Sequence, residues 1–101
     1  MMELKETSGI MCSEDYKERF VAEYVQTKIR YERLKAFNTK IEAAHHVAFM
    51  KPVDAEDKAP RVEMPKHDCP DDLLREQQRV MGEYLHILEL RAVIEGVALP
   101  Q

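Results

Sequence analysis

Residues 13–46 read SEDYKERFVAEYVQTKIRYERLKAFNTKIEAAHH and contain neither proline nor glycine. Ser13 suits the N-cap of a helix, because a serine hydroxyl can accept a hydrogen bond from one of the first free backbone amides. Glu14 and Asp15 follow it, and acidic residues in a first turn interact favourably with the helix dipole. The stretch therefore predicts one helix over about 14–46, on the order of 45 Å long at 1.5 Å per residue.

A second helix is predicted over about 70–95. Pro70 suits the first position of a helix, and the two aspartates after it suit the first turn. Gly96 fits the left-handed residue that ends many helices, with Val97 as the hydrophobic residue that follows. The intervening residues 48–69 hold three prolines and several charges, which indicates a connecting loop.

The composition limits the class of protein. The 101 residues are enough for a single domain, 1–101, and 45% of them are hydrophobic, which is too apolar for a disordered chain. No run approaches the roughly 20 apolar residues of a membrane span, and residues 1–12 lack the apolar core of a signal peptide. We therefore predict a cytoplasmic all-α protein with no membrane partner. Its two helices form an antiparallel hairpin, and residues 1–12 are expected to be weakly structured.

The first predicted helix carries two apolar strips. At 100° per residue, its core face is expected to hold Tyr16, Phe20, Tyr24, Thr27, Tyr31, Leu34, Asn38, Ile41 and His45. A second strip, roughly opposite, holds Val21, Val25, Ile29, Ala36, Ala43 and Val47. The core face of the second helix is expected to hold Leu73, Leu74, Val80, Met81, Tyr84, Leu85, Leu88 and Ala92.

Two antiparallel helices bury only one face each, so apolar surface is left over. Pairing with copies of the same chain is the simplest way to cover it, which predicts a homo-oligomeric helical bundle. The predicted oligomer interface consists of Val21, Val25, Ile29, Ala36, Ile87, Leu90 and Ile94. In the alternative, residues 1–12 and the loop fold back over the second strip of the first helix.

Polar residues within the apolar arc of the second helix allow two interpretations. Arg91 and Glu95 lie one turn apart and can simply pair with each other. Alternatively, a ligand pocket is present, in which tyrosines stack on a base and arginines hold phosphate by charge-assisted hydrogen bonds. The candidate ligand-binding residues are Tyr24, Arg30, Tyr31, Arg33, Gln77, Tyr84 and Arg91.

Other kinds of chemistry lack a sequence signal. The spacing of His67 and Cys69 does not match a closed zinc site, so no metal and no cofactor are predicted. No nucleophile has an obvious base and no glycine-rich phosphate loop occurs, so the protein is not expected to be an enzyme. The segment KIRYERLKAFNTK (28–40) is basic with aromatics, but the chain has a net charge of −4 and the basic residues lie on two strips, which disfavours nucleic acid as a partner.

Two blocks of the sequence carry a family resemblance. They are DYKERFVAEYVQTKIRYERL (15–34) and DCPDDLLREQQRVMGEYLHILELRAVIEGVAL (68–99), with the tags A-E-Y at 22–24, K-x-R at 28–30, Cys69–Pro70, Leu73–Leu74 with Gln77, and Y-L-x-x-L-E-x-R-A at 84–92. Together they resemble a widespread family of short phage and prophage proteins catalogued from a gene of crAss-like phages. Residues 43–68 depart from that family, because they are longer than the short segment that connects the two helices in its members. The resemblance implies a phage-encoded, non-structural accessory protein in the bacterial cytoplasm.

A weaker similarity lies at the level of fold. Small helical-hairpin phage proteins that counter CBASS and Thoeris defence are compact oligomers, and they hold cyclic nucleotides or ADP-ribose derivatives between subunits. Similarity to them is an argument from fold alone. It implies an anti-defence sponge that sequesters a nucleotide-type immune signal at a subunit interface. The alternative is a protein–protein inhibitor or adaptor that acts on a host nuclease or regulator.

Overall fold

The computed structural model describes residues 3–48 and 63–100. These ranges contain three helices and no strand: α1 (Leu4–Met11), α2 (Tyr16–Ala48) and α3 (Asp71–Glu95). The predicted all-α class is therefore confirmed for this part of the chain, and both long helices end close to the predicted bounds. None of the three helices is long and apolar enough to cross a membrane. Most of the predicted 48–69 loop lies outside the described residues.

Asp15, not Ser13, is the N-cap of α2. The Asp15 Oδ1 atom accepts hydrogen bonds from the backbone amides of Lys17 at 2.8 Å and Glu18 at 3.4 Å. The Ser13 hydroxyl instead accepts from the Asp15 amide at 3.1 Å and donates to the Glu18 carboxylate at 2.5 Å. The predicted cap at Ser13 is wrong because the Asp15 carboxylate, two residues later, can accept from two free amides at once.

The residues expected to be weakly structured form α1. Its N-terminus is closed by a capping box between Glu3 and Glu6. Thr7 is fully buried, and its hydroxyl donates to the Leu4 carbonyl at 2.6 Å and accepts from the Gln26 side chain of α2 at 3.5 Å. A helix of eight residues is marginal alone, so packing against α2 stabilises it. The expectation of weak structure over residues 1–12 was wrong because the stability of α1 comes from its packing against α2, which local sequence signals do not show.

Helices α2 and α3 pack against each other in opposite directions. Tyr16, at the start of α2, donates its hydroxyl to Glu95 at the end of α3 at 2.9 Å. Near the other end, His45 Nε2 lies 2.9 Å from Asp71 Oδ2. The main core between the helices consists of Phe20, Tyr24, Val25, Leu85, Leu88 and Ala92. The order of these contacts is that of an antiparallel helix pair.

The predicted end of α3 at Gly96 is confirmed. Gly96 has a φ of 71°, in the left-handed region that favours glycine. The amide of Val97 then donates to the Ala92 carbonyl at 2.8 Å, as in a Schellman turn. This turn directs the last residues back along the helix pair, where Val97 and Leu99 pack against the core.

The face of α3 that packs on α2 is narrower than predicted. The members of the expected core face that are buried are Leu85, Leu88 and Ala92. The members that are exposed instead are Leu73, Val80 and Tyr84. The exposed residues lie about 100° around the helix from Leu74, Met81 and Leu85, each of which is the next residue in the chain. The sequence pattern did not distinguish the exposed set from the set that faces α2, because the residues of both sets are mostly apolar.

The second apolar strip of α2 is partly covered by the chain itself. Val25 is fully buried in the core, and Val21 and Ile29 are half-buried against it. Val21 also lines a cavity together with Ile10, at the end of α1. Covering of the strip by the N-terminal residues is what the alternative prediction described. Val25 therefore offers no free surface to a second copy, whereas Ala36 is exposed.

Candidate functional site

One rim of the α2–α3 contact forms an open groove beside two tyrosines. Tyr24 and Tyr31 are seven residues apart on α2, so they lie on the same face two turns apart. A cavity of about 240 Å³ runs between them and α3. Its other lining residues are Lys28, Glu32, Gly82, Leu85 and Glu89. We call this surface, together with its continuation described next, the tyrosine groove.

The groove continues toward the C-terminal end of α3. A second cavity, of about 420 Å³, shares Tyr24, Lys28 and Glu89 with the first. Val97 and Leu99 line its far side, where the left-handed turn has directed the chain back. This volume falls within the roughly 300–1,000 Å³ that is typical of small-molecule sites.

The polar groups of the tyrosine groove are few. Tyr24 is buried, and its hydroxyl donates to Glu89 Oε2 at 3.4 Å. Lys28 Nζ lies 5.7 Å from the centroid of the Tyr24 ring, within the range of a cation–π interaction. Within residues 3–48 and 63–100, Lys28 takes part in no salt bridge. The groove thus combines aromatic surface with a cation that no carboxylate of the described chain neutralises.

Gly82 lies directly opposite the Tyr31 ring. A Cβ atom at this position would stand 3.3 Å from Tyr31 Cε1, which is tighter than an ordinary contact. Glycine in a helix interior costs about 1 kcal/mol relative to alanine. The close approach of the ring gives a physical reason for a glycine here, because a side chain would displace Tyr31 and reshape the groove.

The opposite rim holds a cluster of paired charges around Arg91. Arg91 Nε donates to Glu95 Oε2 at 3.1 Å, and its Nη2 donates to the Tyr16 hydroxyl. The guanidinium carbon lies 4.9 Å from the centroid of the Phe20 ring, as in a cation–π contact. We call these four residues the arginine cluster. The structure thus contains the Arg91–Glu95 pair that the sequence left as one of two interpretations.

Tyr84 lies beside the arginine cluster and donates its hydroxyl to Glu23 of α2. Hydrogen bonding to the Glu23 carboxylate raises the pKa of Tyr84, and partial burial adds to the shift. The hydrogen bond to the Glu95 carboxylate likewise raises the pKa of Tyr16 and that of Arg91. All three side chains therefore keep their protons at neutral pH and act as donors to these carboxylates.

The seven predicted ligand residues fall into three groups rather than one pocket. Tyr24 and Tyr31 lie in the tyrosine groove. Tyr84 and Arg91 lie on the opposite rim, in contact with acids of the chain. The remaining three, Arg30, Arg33 and Gln77, are exposed. The division arises because each step along a helix turns a side chain by 100°, so that two helices present different members of the set to different sides.

Sequence reasoning missed the polar residues that contact the tyrosines. The sequence marks Lys28 only as one of the basic residues of segment 28–40, and it does not single out Glu23 and Glu89. A usable signal was present at Lys28, because it follows Tyr24 by one helical turn and residues at that spacing share a face. Glu23 and Glu89 contact tyrosines of the other helix, so no local spacing could have indicated them.

The far end of the helix pair carries a third polar cluster, which we call the histidine end. The two carboxylate oxygens of Asp71 lie 2.9 Å from His45 Nε2 and 3.0 Å from His67 Nε2. The other ring nitrogen of His67 lies 2.6 Å from the Cys69 carbonyl oxygen. The hydrogen bond from His45, with the nearby imidazoles and Arg75, lowers the pKa of Asp71. Among the described residues, no group of histidine, cysteine and acidic side chains has the arrangement of a metal site.

Two aromatic rings, a lysine and two carboxylates around one groove define a surface suited to binding a small molecule. The model of the Sequestin family matches residues 14–94, a span that includes α2, all of α3 except its last residue, and every residue of the first groove cavity. The chain therefore belongs to the Sequestin family. No curated protein and no solved structure matches it.

Proposed function

We propose that this protein is a sponge, which assembles with copies of itself and sequesters a nucleotide-type immune signal on behalf of a phage in the bacterial cytoplasm. The family name denotes sequestration, and this supports a binding role of the kind implied by the fold-level resemblance to phage sponges. The single observation that carries the proposal is the tyrosine groove, with its aromatic walls and its lysine. Binding there removes the signal from its receptor without any chemical step.

Each part of a nucleotide has a matching group in the groove. A base would stack on Tyr31, because aromatic rings bind bases through their π faces whatever the sequence. A phosphate would lie next to the Lys28 ammonium, where a charge-assisted hydrogen bond is stronger than a neutral one. Glu89 accepts the Tyr24 hydroxyl through one oxygen, which leaves the other free to accept from a sugar hydroxyl.

The arginines take a different part in the proposal from the one that the sequence suggested. Arg91 already donates to Glu95 and Tyr16, so a phosphate would reach it only by displacing a carboxylate. Arg30 and Arg33 are exposed, and their field would attract an anion toward α2. In the version with the signal at a subunit interface, Gln77, Tyr84 and Arg91 would contact it instead, and a second copy would be required.

Calorimetry tests the proposal directly. Purified protein is titrated with a panel of cyclic dinucleotides, cyclic trinucleotides and cyclic ADP-ribose isomers. We expect saturable heat with at least one of them, at one ligand per chain if the groove binds it. The proposal is wrong if no member of the panel produces heat at ligand concentrations up to the millimolar range.

Charge variants of α2 locate the site. Lys28→Gln should weaken binding of the active panel member about tenfold, which corresponds to losing about 1.4 kcal/mol. Lys40→Gln is the matched control, because Lys40 is an exposed lysine of the same helix that lines neither cavity of the groove. If Lys28→Gln and Lys40→Gln bind the active panel member with equal affinity, the groove is not the binding site. Loss of binding in Arg91→Gln alone would favour the subunit interface.

The second candidate function is an inhibitor or adaptor that binds a host nuclease or regulator. Exposed apolar residues of α3 favour it, since large apolar patches commonly mark interaction sites. Ile87, Leu90, Val93 and Ile94 are all exposed. A pull-down from host lysate should then return one stoichiometric protein, and Leu90→Asp should abolish its capture while leaving nucleotide binding to the groove intact.

A further inference from the structure

The outer side of α3 carries two columns of side chains, each with a seven-residue period. The apolar column consists of Leu73, Val80, Ile87 and Ile94, and the polar column consists of Gln77, Tyr84 and Arg91. The seven positions alternate in steps of four and three residues, which is the a/d pattern of a coiled-coil seam. All of them lie within α3, so the pattern is continuous along the helix. We call this surface the α3 seam.

The apolar column of the α3 seam is separate from the side of the helix that packs on α2, whereas Tyr84 and Arg91 of the polar column also reach side chains of α2. The exposed fractions of the apolar column are 57% at Leu73, 48% at Val80, 51% at Ile87 and 82% at Ile94. The buried residues Leu85 and Leu88 each follow a seam residue by one position, which places them about 100° further around the helix. A helix that is apolar on two sides is normally buried on two sides.

We propose that the α3 seam pairs with the α3 seam of a second copy of this chain, with the two helices antiparallel. This rests on the self-association included in the proposed function but not on the identity of any ligand. The seven positions read apolar, polar, apolar, aromatic, apolar, polar, apolar. The pattern is nearly the same in both directions, so a copy that runs the opposite way meets an equivalent surface. A strict seven-residue repeat is also what two helices need to stay in contact along their length.

Charge decides between the two orientations of the pair. In a parallel pair, Arg91 would stand in one layer with Arg91 of the partner subunit, and the Glu95 beside each of them only partly offsets the repulsion between two guanidiniums in direct contact. In an antiparallel pair centred on Tyr84, apolar members of the seam lie opposite apolar members of the partner's seam, and Arg91 lies opposite Gln77 of the partner subunit, whose amide oxygen can accept from a guanidinium. Tyr84, the central residue of the seam, then lies next to the two-fold axis.

The acids beside the α3 seam oppose the contact only weakly. Glu76 and Glu83 lie on its flank, and Arg79 lies between them. Arg79 Nη1 is 2.7 Å from Glu83 Oε1, and its Nη2 pairs with Glu76. Arg79 thus contacts both carboxylates and offsets one of their two negative charges, so the repulsion between the flanks of two copies is reduced.

The mass of the protein in solution tests the pairing. By sedimentation equilibrium, the wild-type chain should have twice the 11.8 kDa of one chain. Ile87→Glu places a charge in the seam and should shift the mass to that of one chain, with helicity by circular dichroism unchanged because Ile87 lies outside the core. Val93→Glu is the matched control: Val93 is an 83% exposed residue of the same helix, outside the seam, and its variant should keep the dimer mass.

The failures can be told apart. A wild-type chain with the mass of one chain at millimolar concentration contradicts both this inference and the self-association in the proposed function. A dimer that survives Ile87→Glu, or that dissociates with Val93→Glu, contradicts the seam alone. Nucleotide binding to the tyrosine groove is measured separately, so a negative result there leaves the α3 seam standing.

Cysteine crosslinking tests the orientation. Both natural cysteines are first replaced, by Cys12→Ser and Cys69→Ser, since both are free. Tyr84→Cys should then give a crosslinked dimer with a short bismaleimide. Ile94→Cys should not, because the two copies of that position are more than about 20 Å apart along an antiparallel pair at 1.5 Å per residue. Efficient crosslinking at position 94 would show a parallel pair and overturn the proposed orientation.

Discussion

The two rims of the α2–α3 pair contain similar side chains in different states. In the arginine cluster, Arg91 is held by Glu95 and Tyr16 of the same chain. In the tyrosine groove, Lys28 has the Tyr24 ring beside it, and no carboxylate of the described chain pairs with it. A paired cation stabilises the fold, whereas an unpaired one can accept an anion at little cost. Pairing, more than the type of residue, therefore decides which rim is suited to a ligand.

The largest expected effect comes from removing the core side chain between the two rims. Leu88 is fully buried, so Leu88→Ala should lower the free energy of unfolding by about 2–5 kcal/mol. Urea denaturation monitored by circular dichroism measures it. Leu90→Ala is the control, because Leu90 is half exposed and should change stability by only about 0.5 kcal/mol. Equal effects at the two positions would mean that the core lies elsewhere.

Removing a tyrosine hydroxyl should have a smaller effect on stability, and the effect should differ between the two rims. Tyr84→Phe removes the donor to Glu23 and should cost about 0.5–1.5 kcal/mol, near the lower end because the bond is exposed. Tyr31→Phe should cost nearly nothing, since its hydroxyl makes no hydrogen bond within residues 3–48 and 63–100. Thermal unfolding of both variants at pH 7 provides the measurement. A larger loss in Tyr31→Phe would contradict the contrast between the rims.

Tyr84 should also make the stability of the protein depend on pH in the alkaline range. The pKa of Tyr84 is raised in the folded protein, so the stability from its hydrogen bond is present below pH 10, the ordinary value, and lost as the pH rises through the raised value. The stability difference between wild type and Tyr84→Phe should therefore persist up to pH 10 and close above it. A difference that closes already near pH 8 would show that the hydroxyl is not held by Glu23.

The smallest effect is expected at the histidine end, far from both rims. Asp71 has a lowered pKa, so its contribution to stability is present above the ordinary value of about 4 and is lost as the pH falls through the lower folded value. Asp71→Asn should therefore melt below wild type at pH 7, and the difference should close as the pH falls below about 4. Asp72→Asn, at the next and exposed position, is the control. Equal melting curves of wild type and Asp71→Asn at pH 7 would contradict the role of the histidine contacts.

Much of the fold could be read from local sequence. The absence of proline and glycine over 13–46 was enough to predict α2, and Gly96 marked the end of α3 correctly because only a left-handed residue can make that turn easily. The helix α1 was missed because its stability comes from Thr7 and its packing against α2. Burial of a threonine by another helix leaves no periodic signal in a segment of eight residues.

The sequence indicated which kinds of residue the candidate site would contain, but not how they are arranged in space. Tyr24 and Tyr31 share a face and line one groove because both belong to one helix, and their role in ligand binding stays a prediction. Tyr84 and Arg91 were added from the other helix, and the angle at which two helices meet does not follow from either sequence pattern. The same uncertainty placed Leu73 and Val80 in the core, although they are exposed.

The sequence by itself determined the class of this protein: two long helices with more apolar surface than one helix pair can bury. It did so because proline, glycine and helical periodicity act locally. Only the tertiary structure decided that Arg91 is paired while Lys28 is not, and which apolar column of α3 faces solvent. Those outcomes depend on the rotation of α3 against α2, which is set by the packing of Phe20, Leu85 and Leu88 as a whole.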